Sequence, residues 1–408
     1  MVFQSSREPE QRIGVVESVV AAFTQLFPQR VRACYALGSA ADGSALATSD
    51  LDLTLIFAHA FMTPGEYDEA ARLATDLTSR ATVELDLTVT DERTLSAGVE
   101  PNLKFAATLL YGADIRDALP LMPIAEWTRD RMHSSWWRVA RLFARPPIIT
   151  PPLDYPEPEQ EFLGYTRRTV RLVDGREVPC TRDLIRLIGW AATALLALDC
   201  RVYVASKREA HTLYYEHIGG PWDTLITETY EALRMRWAYL IPDDQQERGL
   251  LRNICERALP FERYFLARHI SFLIAELQAE GDRALAACEV LRRAPLAEPA
   301  VVATLRELRE GADAALQPMA NAALAALDLG AEDDQANHFS YLIEGERLHA
   351  RAGHWLRGAR TRALLGAQPL VARHEALLRA GQWRYWRGGG ECRARSKGLG
   401  SLRHLGRA

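Results

Sequence analysis

The run LDLTLIF, Leu51–Phe57, is an apolar segment carrying acid in a pattern that few folds can accommodate. Successive residues of a strand point to opposite faces. Leu51, Leu53, Leu55 and Phe57 therefore share one face, while Asp50, Asp52 and Thr54 share the other. This alternation predicts a strand with one face against a core. Two carboxylates about 6–7 Å apart on one strand face repel each other and are costly to desolvate unless a cation lies between them. Hard divalent cations such as Mg²⁺ take one or two carboxylates together with phosphate oxygens. A bare Asp-x-Asp is equally compatible with a solvated strand face at a loop exit, so its neighbours have to decide.

Upstream, VRACYAL (Val31–Leu37) reads as another strand and ends at Gly38-Ser39. Glycine there permits positive φ or a close backbone approach, and Ser39 offers a hydroxyl and an N–H to an anion. Gly43 and Ser44 keep the following segment tight. No Gly-Lys-Ser/Thr follows, which excludes a Walker-type loop. Downstream, residues 81–89 (ATVELDLTV) alternate again, with Glu84, Asp86 and Thr88 on the polar face. Asp86 is the candidate third carboxylate, and Glu84 is the alternative. One helix, TPGEYDEAARLATDLTSR, fits between the two acidic strands.

Gly-Ser, a spacer of about ten residues, Asp-x-Asp between apolar residues and a later acidic strand together resemble the active-site motif of polymerase-β-type nucleotidyltransferases. The resemblance implies an α+β fold: a small mixed sheet with flanking helices, followed by an all-α helical bundle. It implies Mg²⁺ held by Asp50, Asp52 and Asp86, an NTP such as ATP with its β- and γ-phosphates on Gly38 and Ser39, and Asp86 as general base. Two further segments are similar to the streptomycin/spectinomycin-type aminoglycoside nucleotidyltransferases. These are Leu-Tyr-Gly at 110–112 and SKREA at 206–210, in which Lys207 would contact a phosphate. That group uses Glu for the third carboxylate, where this chain has Asp86. The acceptor implied is the hydroxyl of a small, aminoglycoside-like molecule. The alternatives are a protein or RNA acceptor, or a non-catalytic nucleotide sensor; a sensor without metal chemistry has no need of three carboxylates.

At 408 residues the chain suits two or more domains. Its six cysteines are scattered without Cys-x-x-Cys spacing, against a zinc site or disulfide framework and for a reduced, cytoplasmic setting. No apolar run reaches membrane-span length, and the charged N-terminus is unlike a signal peptide. The net charge of −4 conceals a split: residues 345–408 hold thirteen Arg and one Lys against three Glu. The acidic remainder suits a cationic acceptor such as an aminocyclitol and argues against tRNA. The basic tail reads either as a nucleic-acid-binding arm or as a segment without a core, a composition that a shifted reading frame would also produce.

The expected organisation is a catalytic domain over 1–121, a helical substrate or accessory domain over 122–344, and the tail over 345–408. Six prolines within 144–160 form a stiff connector or an extended wrap. Beyond it, strand signals largely vanish. Helices are expected across TRDLIRLIGWAATALLALDC, SKREAHTLYYEHIG, PWDTLITETYEALRMRWAYL, a long segment from Asp244, and roughly 283–293 and 298–328. Asp183 and Ser206 are the expected N-caps. Lys104 reads as a solvated helix lysine with a nucleotide contact as the alternative, and Trp190 reads as core with stacking on an acceptor ring as the alternative. Arg208 and His211 share an exposed face with Lys207.

Overall fold

A computed structural model describes residues 7–46, 49–172, 175–279, 281–311, 313 and 316–329; the basic tail and residues 330–344 lie outside these. The fold is α+β. Helix α1 (Arg7–Leu26) leads into β1 (Val31–Leu37), then β2 (Leu51–Phe57), α2 (Pro64–Arg80), β3 (Leu85–Asp91) and β4 (Thr108–Gly112). The strand order is β3-β2-β1-β4, with β2 and β3 parallel and β1 antiparallel to both of its neighbours. A parallel pair needs a crossover, and α2 supplies it. Thr63 caps that helix by accepting from the Glu66 N–H at 3.1 Å.

Strand β3 begins at Leu85, four residues later than the alternation suggests. The earlier residues approach the sheet without joining it, apart from the Glu84 carbonyl, which accepts from the Leu51 N–H at 2.8 Å. Leu51, Leu53, Leu55 and Phe57 are buried against Val19 and Phe23 of α1 and Tyr67 and Ala70 of α2. Full burial of such side chains contributes about 1.5–3 kcal/mol each. The opposite face is not uniformly polar. Ile56, Ala33 and Tyr35 are covered there by Leu95, Val99, Leu103 and Leu119. The end of that face bearing Asp52 and Asp86 lines a cleft.

From α3 (Ile124–Arg141) onward the chain is mainly helical, not all-α as the sequence suggests, around one large core that includes Trp127, Trp136, Leu184, Phe261 and Leu285. The proline-rich segment is a wrap along this helical part. Ile149 exchanges backbone hydrogen bonds with Pro295 and Ala297 at 3.0 and 2.8 Å. A hairpin, β5 (Thr169–Arg171) and β6 (Glu177–Pro179), follows; three-residue strands are too short to leave a period in the sequence. Then come α4 (Arg182–Leu195), α5 (Lys207–His217), α6 (Gln245–Leu277) and α7 (Asp282–Arg293).

The single helix expected over 298–328 is instead two, α8 (Pro299–Glu310) and α9 (Leu316–Leu329). Gly311, extended at ψ 174°, ends the first, consistent with glycine's poor helix propensity. Asp183 is not the cap of α4. Thr181 holds that position, and the Asp183 carboxylate accepts from Arg168 at 3.2 Å instead. Ser206 does sit at the N-cap of α5, but its side chain makes no capping hydrogen bond. Among the described residues no helix is long and apolar enough to cross a membrane.

Candidate active site

The floor of the site is built by register. Asp52 of β2 and Asp86 of β3 are direct partners on adjacent parallel strands, so their side chains leave the same face side by side. Asp52 is half-buried and Asp86 exposed. On the other flank Leu37 of β1 pairs with Asp52, and the chain then turns at Gly38 with φ +60°. A Cβ at this position would stand 2.9 Å from Asp52 Oδ2. Glycine is thus required both by the backbone and by the carboxylate it touches. Ser39 follows in the single turn Gly38–Ala41 and lines the same cleft.

Asp50, just before β2, is held from the helical part. Arg182 Nη2 and Arg186 Nη2 lie 2.8 and 2.9 Å from its Oδ2. Arg182 also reaches Glu84 Oε2 at 2.6 Å, and Arg168 reaches Glu84 Oε1 at 2.7 Å. Burial would lower the Arg186 guanidinium, but the charges of Asp50, Asp183, Glu84 and Asp52 outweigh that and raise it above its ordinary value.

The sequence leads to the expectation of a metal centre held by Asp50, Asp52 and Asp86. Among the described residues no three His, Cys, Asp or Glu side chains converge on a point that could hold a metal ion. Asp50, Asp52 and Asp86 line one cleft, yet Asp50 is engaged with two arginines. Asp52 and Asp86 alone still suit Mg²⁺, a hard ion that takes one or two carboxylates and completes its shell with phosphate oxygens and water.

The cleft encloses about 720 Å³ between the sheet and the helical part. Its helical wall is arginine-rich, with Arg131, Arg138, Arg182, Arg186 and Arg234 among the lining residues. Reading the sequence missed these. A signal was present in Arg182 and Arg186, four residues apart in the largely apolar run RDLIRLIGW, where one buried and one half-buried cation need an anionic partner. Trp190 is not core: it is half-buried in the cleft wall, with the Arg138 and Arg131 guanidinium carbons 3.6 and 4.6 Å from its ring centre. His211 also lines the cleft, stacked on Tyr230 at 4.7 Å, and burial lowers its imidazole below the ordinary value. Exposed Arg208 lies nearby. Lys207 opens α5, but its side chain is outside those described. Lys104 is half-buried and is not among the residues that line the cleft. Its Nζ donates to the carbonyls of Arg116, Asp117 and Leu119 at 2.6, 3.2 and 2.7 Å, closing a turn.

No family model and no curated protein matches the sequence. Among solved structures the chain is similar to spectinomycin adenyltransferase AAD(9) from Enterococcus faecialis, solved with ATP and spectinomycin. The identity is 12% and the TM-score 0.35, over 62% of this chain and 99% of that one. A likeness at that level carries no argument about chemistry, which rests on the residues of the cleft. What the fold and site define is an α+β protein with a carboxylate floor facing an arginine wall.

Proposed function

We propose that this protein is a nucleotidyltransferase that moves a nucleoside monophosphate, AMP from ATP in the first instance, to the hydroxyl of a small acceptor. The observation that carries the reading is the pairing of Asp52 and Asp86 in register, with the Gly38 backbone packed against Asp52, at the floor of a cleft walled by arginine. Asp52 and Asp86 would hold Mg²⁺, with Asp50 joining them in exchange for its arginines. When bound, the ion neutralises charge on the α-phosphoryl group and the leaving pyrophosphate. Gly38 and Ser39 contact the β- and γ-phosphates. Asp86, the more exposed of the pair, accepts the proton of the attacking hydroxyl, help worth about 10²–10⁴-fold. The acceptor lies in the cleft between the sheet and the helical part.

A cationic, aminoglycoside-like acceptor agrees with the acidic body of the chain. The second reading is an acceptor that carries anionic groups, favoured by the guanidinium groups in the cleft wall. The decisive experiment supplies α-labelled ATP, Mg²⁺ and a fractionated small-molecule extract. Asp52→Asn and Asp86→Asn should each lower label transfer at least about 100-fold with an unchanged far-UV circular dichroism spectrum. Transfer at the full rate by both variants would sink the reading.

A further inference from the structure

The ion pairs around Asp50 close into a ring. Arg182 joins Asp50 to Glu84 at 2.8 and 2.6 Å, and Arg168 joins Glu84 to Asp183 at 2.7 and 3.2 Å. Arg186 completes it between Asp183 and Asp50, at 3.6 and 2.9 Å. Three guanidinium groups and three carboxylates therefore alternate, each touching two members of opposite sign. Such a ring stays connected when one member leaves. Without Asp50, Arg182 keeps Glu84 and Arg186 keeps Asp183. Breaking an isolated buried pair is costly because it strands a charge, and here neither arginine would be stranded.

Asp50 also lines the cleft with Asp52 and Asp86, so two kinds of cation compete for it. Its backbone is fixed on both sides. The Asp50 and Ser49 carbonyls accept from Arg12 at 3.3 and 2.6 Å, and the Leu51 N–H donates to the Glu84 carbonyl at 2.8 Å. A change of partner at Asp50 is then a change of side-chain rotamer, with no movement of the loop. The competitors are closely matched. Two guanidinium groups present two charges, with nitrogens 2.8 and 2.9 Å from Oδ2. A Mg²⁺ ion presents two charges at about 2.0–2.1 Å, but it dehydrates reluctantly.

We propose that this ring is a latch on the metal site: Arg182 and Arg186 hold Asp50 aside, and Asp50 leaves them when a divalent cation occupies Asp52 and Asp86. The latch accounts for three cleft carboxylates that, among the described residues, do not converge on one point. It rests on the reading of Asp52 and Asp86 as metal ligands, and it adds how that site is regulated. Opening the ring leaves three arginines and two carboxylates, one net positive charge, in place of a neutral set.

The probe is Mn²⁺, which shares the oxygen preference of Mg²⁺, titrated into the full chain without nucleotide and followed by electron paramagnetic resonance. Arg186→Met removes a contact from Asp50 and from Asp183, and of these two Asp50 is the one that lines the cleft. Each acid keeps a second arginine. The variant should bind Mn²⁺ about 10-fold more tightly than wild type. Removing any nearby cation favours cation binding, so the same substitution is made together with Asp50→Asn. There the gain should shrink to about twofold or less. An equal gain in both backgrounds, or none in either, overturns the latch. Wild-type crystals soaked in Mn²⁺ test it whatever the fate of the variant. Anomalous density within ligand distance of Asp50, Asp52 and Asp86 supports it. Density on Asp52 and Asp86 with Asp50 still on its arginines overturns it, as does a cleft that takes up no Mn²⁺. The latch and the transferase fail separately. Coupling between Arg186 and Asp50 in a protein that transfers no nucleotide keeps the latch and removes the transferase. Nucleotide transfer by a protein whose Asp50 stays on its arginines with the metal bound does the reverse.

Discussion

One methyl group at position 38 would meet the Asp52 carboxylate at 2.9 Å, on a backbone turned to φ +60°. Gly38→Ala therefore tests the site and the fold together. The left-handed conformation costs an L-residue about 1–2 kcal/mol, so the melting temperature should fall by a few degrees at most. Moving Asp52 should cost far more in label transfer than in stability, and comparing calorimetric melting with transfer rates checks that ratio. Arg182 makes the complementary case. Its side chain is 4% exposed and joins Asp50 to Glu84. Arg182→Met leaves Asp50 its contact with Arg186 and Glu84 its contact with Arg168. The expected loss is about 1–3 kcal/mol in urea unfolding, and a loss near zero would mean that the pairs repay no more than their desolvation.

Among the elements, the proline-rich wrap and the long helix α6 are joined by a buried polar cluster. Arg145 contacts Glu262, whose other carboxylate oxygen accepts from the Tyr165 hydroxyl at 2.6 Å. Glu262 is 1% exposed, and burial pushes its carboxyl above the ordinary value. Removing the cation strands a buried carboxylate. Arg145→Met should destabilise the protein by about 3–5 kcal/mol, read as a lower urea midpoint. An unchanged midpoint would mean that the wrap is not integral to the helical core. The wrap was legible only as stiffness, because proline content reports restricted φ and says nothing about which surface the chain follows. The late start of β3 was illegible for a related reason. Alternation marks which residues could face a core, whereas pairing with β2 decides where the strand begins.

At the scale of the molecule, stability should depend on a histidine pair inside the helical core. His133 and His269 are buried, with ring nitrogens 3.4 Å apart and His269 stacked on Trp136. Burial pushes His133 down to about 3 and, with His133 beside it, pushes His269 well below its ordinary value. Both are therefore neutral when folded. Groups depressed in this way contribute stability above their unfolded value near 6.5 and lose it as pH falls toward the folded value. Between about pH 6 and 4 each can cost up to about 1.4 kcal/mol per pH unit. His269→Gln should flatten the acid limb of stability against pH by about one proton, measured by urea unfolding across that window. Identical slopes in variant and wild type would show that the imidazole does not stay neutral in the fold.

The sequence by itself determined the acidic strands, the Gly-Ser turn before them, the helix between them and the helical character beyond residue 122. All of these are local, since strand period, glycine's permissive φ and helical spacing depend on neighbours along the chain. Only the tertiary structure decided that Asp86 stands beside Asp52, that Asp50 and Glu84 are held by Arg168, Arg182 and Arg186, and that Trp190 faces a cleft. Those contacts join residues more than thirty, and in places more than ninety, positions apart. The charge partner of a buried group is set by packing, and no periodicity in the chain announces it.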